Sequence, residues 1–224
     1  MVGQSSDYLP FTVLACFLMR SAKIKTLLFD VGGVVIDFDF RRAFRVWESI
    51  SLLSCVEMES TFKFDAAYEQ HERGEVTAKE YFSHLATTLE LQDNHVRIAE
   101  GWNAIFVCEI TETRLMLQAA RGQFPCYALT NTNATHHATW SAMFPKVWSS
   151  FERVFASHEM GCRKPEPQAF EYIAHALCVS LDSIMFFDDV LENVEAATKQ
   201  GLHAVHARSP QDVRKALQAI GCTS

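Results

Sequence analysis

No pair of cysteines in this chain stands in a C-x-x-C or short Cys/His spacing, so a zinc ribbon or finger is excluded. Its seven cysteines (Cys16, Cys55, Cys108, Cys126, Cys162, Cys178 and Cys222) are odd in number and dispersed, as expected of reduced thiols in a cytoplasmic enzyme. Clustered Lys and Arg are also absent, and the formal charge is -7, which argues against a partner that presents a phosphate backbone. There is no internal repeat and no low-complexity tract. The longest apolar stretch, YLPFTVLACFLM from Tyr8 to Met19, falls short of the roughly 20 residues that a membrane span requires. Its basic residues (Arg20, Lys23, Lys25) follow it, the reverse of a secretory signal. Residues 1–22 are therefore set aside as an N-terminal extension, with Met19 as an alternative initiator.

What remains is an ordinary globular composition, 49% apolar and 21% charged, in 224 residues, enough for one sizeable domain with a small insertion. Five runs, KTLLFDV, FPCYALT, RVFAS, SIMFFDD and LHAVHA, have the apolar continuity and turn-bounded length of strands. Helix-period stretches separate them: RLMLQAAR, EPQAFEYIAHAL and LENVEAATKQ, with Pro165 near the start of the second and Gly201 after the third. Alternating strands and helices predict an α/β fold with a doubly wound parallel sheet covered on both faces. About seventy residues lie between the first strand and the helix leading into the second, more than one crossover needs. That segment is helix-like (FRVWESISLL, FDAAYEQHE, AKEYFSHLATTLEL) and shows no convincing strand. The expected organisation is a core of residues 23–37 and 109–224 with a helical cap of residues 38–108 inserted into it.

Ligands of open parallel sheets bind at the carboxyl ends of the strands. Polar residues collect there: Asp30 after TLLF, Thr130 and Asn131 after CYAL, Lys164 beyond VFAS, and Asp188 with Asp189 after IMFF. Any one of them is an ordinary turn or cap residue. Together they offer three carboxylates, an ammonium and a hydroxyl at one edge, a set able to hold a divalent cation and a phosphate. Hard cations such as Mg²⁺ prefer oxygen ligands. Asp30 is placed to attack phosphorus and form an aspartyl-phosphate, Lys164 to bridge nucleophile and phosphate, and Thr130 to donate to a phosphoryl oxygen.

In this order FDVGGVV, ALTN, RKPEPQAF and FFDDVLENVEAA resemble the four motifs of the haloacid dehalogenase-like superfamily, mostly Mg²⁺-dependent phosphatases. The resemblance implies a Rossmann-like core, Asp30 as nucleophile, Thr130 as phosphoryl donor and Lys164 as bridging lysine. It also implies Asp189 as metal ligand with Asp188 beside it, the Gly32 carbonyl as a further ligand, and Asn193 at the position four residues beyond Asp189. FDFRRAFRVW, HERGEVTAKEYF, GWNAIF and LTNTNATH are similar to bacterial phosphatases acting on α-D-glucose 1-phosphate. A small phosphorylated metabolite is the implied partner, with no nucleic acid and no membrane; the oligomeric state is left open.

Gly32 departs from the pattern, because most phosphatases of the superfamily carry there a second Asp that protonates the leaving oxygen. Three readings follow. A phosphatase can act without that acid on a good leaving group such as an anomeric hydroxyl. A haloacid dehalogenase also lacks it, but leaves Asp188 and Asp189 unexplained. A binding module would not need Asp30, Lys164 and Asp189 intact. His136 is a candidate substitute acid, unless it caps its helix or faces solvent. His71, with Glu72, reaches over from the cap as a candidate for substrate binding alongside Asn131 and Lys164. His137, His203 and His206 are read as structural, and Trp102 and Phe106 as core.

Overall fold

The computed structural model describes residues 24–92 and 94–222; the expected N-terminal extension and the Met19 initiator lie outside them. All five expected strands form one sheet. They are β1 (Thr26–Phe29), β4 (Cys126–Thr130), β5 (Arg153–Ala156), β6 (Ile184–Asp188) and β7 (His203–His206), in spatial order β5-β4-β1-β6-β7. Every pairing in it is parallel. Helices cover both faces, which is why β1 and β6 are buried along their whole length and read as unbroken apolar runs.

Alternation along β1 assigns its side chains to two cores. Leu27 and Phe29 join Met185 and Phe187 on the face shared with the cap, where Phe29 and Phe187 stack with ring centres 4.5 Å apart. Leu28 joins Phe186, Leu129, Phe155 and Phe170 on the other face. Each such side chain contributes about 1.5–3 kcal/mol on burial. From β1 the chain runs outward through β4 to β5, then returns to β6 on the opposite side of β1. That reversal opens a crevice beyond the carboxyl ends of β1 and β6.

Among the described residues five helices, Arg41–Trp47, Cys55–Thr61, Ala66–Glu72, Ala78–Thr88 and His95–Asn103, stand between β1 and the helix Thr111–Ala120 that leads into β4. Their starts are set locally: Ser54 with Glu57 and Thr77 with Glu80 form reciprocal capping boxes. Trp47, Tyr81 and Trp102 are fully buried among them, in agreement with the reading of Trp102 as core.

One expectation needs correction. The segment expected to lack strands leaves and rejoins the core through an antiparallel ribbon of β2 (Ile36–Phe38) and β3 (Phe106–Glu109). Three or four residues with an irregular register carry too little alternation to be recognised. The helix carrying Phe170 runs Pro167–Leu177, with Pro165 just ahead of its start as expected. Among the described residues no helix is long and apolar enough to cross a membrane.

Candidate active site

β1 ends one residue before Asp30, whose backbone N–H still donates to Phe187 O at 2.8 Å across the β1–β6 ladder. The strand thereby delivers the Asp30 carboxylate to the rim, where Oδ1 accepts from the Val31 N–H at 2.7 Å. The chain then turns through Gly32 and Gly33. Gly33 has φ +72, and the Asp189 carboxylate occupies the space a Cβ would need there. Only glycine allows both that backbone and that approach.

Lys164 is fully buried and spans the rim, with Nζ 2.9 Å from Asp30 Oδ1 and 2.7 Å from Asp188 Oδ2. Its backbone is fixed by Asn131, whose Oδ1 accepts from Lys164 N–H at 2.9 Å and whose Nδ2 donates to Lys164 O at 2.8 Å. Asp188 is fully enclosed: besides Lys164, Asn193 Nδ2 donates to both its oxygens at 3.0 and 3.1 Å, and Val190 N–H donates to Oδ1 at 2.9 Å. Asp189 is left facing the crevice, with His206 Nε2 set 3.0 Å from its backbone oxygen.

This crowding changes the acidities. Burial pushes the Asp30 carboxyl up to about 7; Lys164 opposes that rise, and the Asp188 and Asp189 charges add to it. Burial likewise raises Asp189, with Asp188 adding to it. Burial acts against charge on Lys164, but Asp188 and Asp30 outweigh it and raise its ammonium above the ordinary value. Oxygens of Asp30, Asp188 and Asp189 lie within 4.8 Å of one another. Three carboxylates against one ammonium leave an excess of negative charge in an all-oxygen site, which suits a hard dication.

Above the rim is a cavity of about 620 Å³. Its floor includes Asp30, Gly32, Thr130, Asn131, Lys164 and Asp189, and its roof includes Phe64, Tyr68, Glu69 and Glu72 from the cap. A second cavity of about 730 Å³, on the cap between Lys79 and Asn103, gathers no catalytic set and is far more open. The polar convergence singles out the first.

Two expected participants do not reach this chemistry. His136 stacks on Trp102 at 4.4 Å; its Nε2 lies 2.8 Å from Trp102 O and its Nδ1 3.1 Å from Asn133 Nδ2. Burial pushes its pKa down to about 3, so at neutral pH it is a neutral imidazole whose one N–H is held by Trp102 O. His71 is buried inside the cap, stacked on Tyr81 at 4.6 Å and 3.4 Å from Val76 O, and is not part of the cavity wall. His71 is a packing residue of the cap; His136 packs behind the rim, on a small cavity of about 70 Å³ shared with Gly32, Thr130 and Asn131, and neither lines the main cavity.

Conversely, no motif in the sequence marks the link between Arg163 and the cap. Arg163 Nε donates to Glu72 Oε2 at 2.8 Å and its Nη1 to Glu69 Oε1 at 3.1 Å, while Arg73 of the cap reaches Glu166 at 2.9 Å. These crossed ion pairs tie the helix Ala66–Glu72 to the Lys164 loop over more than ninety residues of sequence. Phe38 is the other unforeseen feature: its ring edge lies 3.1 Å from where a Cβ on Gly32 would stand, covering the place of the missing acid.

A protein-family model described as "haloacid dehalogenase-like hydrolase" matches residues 24–201. Among curated proteins, "Phosphatase MT3486" of Mycobacterium tuberculosis is 30% identical over 198 residues, covering 81% of this chain and 86% of its own. A sesquiterpene phosphatase of Aspergillus oryzae is 27% identical over 202 residues, covering 88% and 97%. A D-ribitol-5-phosphate phosphatase of Bacteroides thetaiotaomicron is 22% identical over 205 residues, covering 88% and 98%. Among solved structures, a HAD-family enzyme of Bacteroides thetaiotaomicron in complex with magnesium and inorganic phosphate superposes with a TM-score of 0.71 at 29% identity, covering 81% of this chain and 92% of that one. With these matches over the sheet, the cap and the rim alike, the chain belongs to the haloacid dehalogenase-like hydrolases.

Proposed function

We propose that the chain is a Mg²⁺-dependent phosphatase of small, hydroxyl-rich phosphate monoesters, sugar phosphates such as α-D-glucose 1-phosphate among them. The observation that carries this reading is the Asp30–Lys164–Asp188 triad, with Asp189 beside it, under a cavity of about 620 Å³. That volume lies within the range typical of small-molecule sites. The magnesium and phosphate bound by the Bacteroides enzyme support the same chemistry.

Asp30, the Gly32 carbonyl and Asp189 would hold the cation, while Asp188, whose oxygens are already engaged, positions Lys164. When bound, Mg²⁺ neutralises charge on the phosphoryl oxygens. Thr130 and Lys164 orient the phosphate, and Asp30 attacks phosphorus as the bond to the substrate oxygen breaks. The departing oxygen takes its proton from water, since Gly32 has none to give; an anomeric hydroxyl, more acidic than an ordinary alcohol, leaves under those conditions. Water then cleaves the aspartyl-phosphate, releasing phosphate and restoring Asp30. Glu69, Glu72, Glu166 and Glu192 line the cavity and accept hydrogen bonds from substrate hydroxyls, while disfavouring a second anion.

A second reading has a specific observation behind it. Phe38 and Phe64 line the cavity and remain 38% and 61% exposed, an apolar mouth that suits a prenyl-type alcohol phosphate, and one relative is a sesquiterpene phosphatase. A phosphate-release screen over sugar phosphates, polyol phosphates, nucleotides and a prenyl phosphate, with Mg²⁺ and with EDTA, separates the readings. Mg²⁺-restored turnover of sugar or polyol phosphates is expected. Preference for the prenyl ester would move the assignment to the second reading, and metal-free halide release from a 2-haloacid would end both.

A further inference from the structure

We propose that His137, His158 and Glu159 form a second metal site, separate from the Asp30 rim, that takes a transition-metal dication of the Zn²⁺ class. It stands on its own geometry and does not depend on which ester the rim hydrolyses.

His137 lies on the helix Ala134–Met143, and His158 and Glu159 on the short helix Ser157–Met160 that follows β5. One ligand atom from each of the three lies within 4.8 Å of the others. Glu159 Oε1 is 3.7 Å from His137 Nδ1 and 4.0 Å from His158 Nε2. Around a tetrahedral ion with bonds of about 2.0–2.1 Å, neighbouring ligand atoms stand about 3.4 Å apart, so closure requires the three side chains to draw together by up to about 1.4 Å. Glu159 is exposed enough to make that adjustment, at 58% of its side chain.

The nitrogens nearest Glu159 are His137 Nδ1 and His158 Nε2, the pair that would bind an ion there. Ring contacts with Trp140 and Trp148 at 5.5 and 5.3 Å hold His137 in place, and the two imidazoles meet edge to face at 5.4 Å. Two nitrogens and a carboxylate favour a borderline dication over Mg²⁺, and three protein ligands leave a position open toward solvent.

The site sits at a mechanical junction. Ser157, next to His158, donates its hydroxyl to Thr132 O at 2.8 Å and accepts from Thr132 N–H at 2.9 Å, two residues beyond Thr130. The His158 carbonyl packs where a Cβ on Gly74 of the cap would be. An ion bound here would pin together the rim loop, the end of β5 and the cap turn.

The test is a Co²⁺ titration of the full chain in excess Mg²⁺, followed by visible absorption. The wild type is expected to develop the intense bands of a low-symmetry, nitrogen-containing site, saturating at about one equivalent. H137F, which keeps a ring against the tryptophans, and E159A, at an exposed position, should each weaken binding by at least about tenfold, the loss typical of removing even an outer-shell partner. Both should keep wild-type phosphate release with Mg²⁺, and D189N at the rim should keep the bands. Absence of the bands in wild type, their persistence at unchanged affinity in both E159A and H137F, or their loss in D189N alone would each overturn the assignment.

Discussion

Replacing Asp30, the proposed nucleophile, should make the metal-free protein more stable. Asp30 is forced into a buried rim already holding two carboxylates, and its pKa is raised from 3.8 to about 7. Between those values the folded chain keeps a proton on Asp30 that the unfolded chain has released. Stability from this group therefore falls as pH rises through the window and is lowest above about pH 7. At about 1.4 kcal/mol per pKa unit the interval corresponds to about 4 kcal/mol. D30N removes the charge at nearly constant volume and leaves Lys164 paired with Asp188 at 2.7 Å. In EDTA at about pH 8 the variant should unfold in urea with a free energy about 2–4 kcal/mol above wild type, at unchanged m value. The advantage should disappear near pH 4, where wild-type Asp30 is protonated, and Mg²⁺ should narrow it at pH 8 by stabilising only the intact site. Phosphate release should be lost throughout. If D30N is no more stable than wild type at about pH 8 in EDTA, the rim is not electrostatically overcrowded and the argument for a resident cation fails with it.

The opposite charge deletion should have the opposite result. K164M strips the only ammonium from two buried carboxylates, and urea unfolding at about pH 8 should show a loss of about 3–5 kcal/mol, smaller at acid pH as Asp30 takes a proton; a loss under about 1 kcal/mol would contradict the pairing described. G32D should restore an acid where Phe38 now lies. Gly32 has no positive φ and the Phe38 ring is 38% exposed, so the ring can yield. Turnover of esters with poor alcohol leaving groups should rise toward the 10²–10⁴-fold that a placed general acid supplies, with little gain for sugar 1-phosphates; equal effects on both, read from kcat, would count against Gly32 as the missing acid.

The sequence was sufficient for the sheet and for its rim. Strands buried on both faces must be apolar throughout, so TLLF, CYALT and IMFF are recognisable without context, and parallel pairing brings their carboxyl ends to one edge. Asp30, Thr130 and Asp189 stand at those ends, whereas Lys164, in the loop beyond β5, is picked out by the order of the motifs. The three- and four-residue ribbon strands were not legible, because so short a pairing leaves no period to read. Nor could residue type show where the histidines point. His136 and His71 lie near the rim in sequence, yet stacking on Trp102 and Tyr81 takes both out of it, whereas His137, set aside as structural, turns toward His158 and Glu159. The Arg163–Glu72 pair joins residues that only the seating of the cap on the core brings together, and the Phe38 ring over Gly32 depends on how the turn into β2 folds back. Strand pattern is a local consequence of burial and can be read locally; side-chain direction and contacts between cap and core depend on packing of the whole chain, which no single stretch contains.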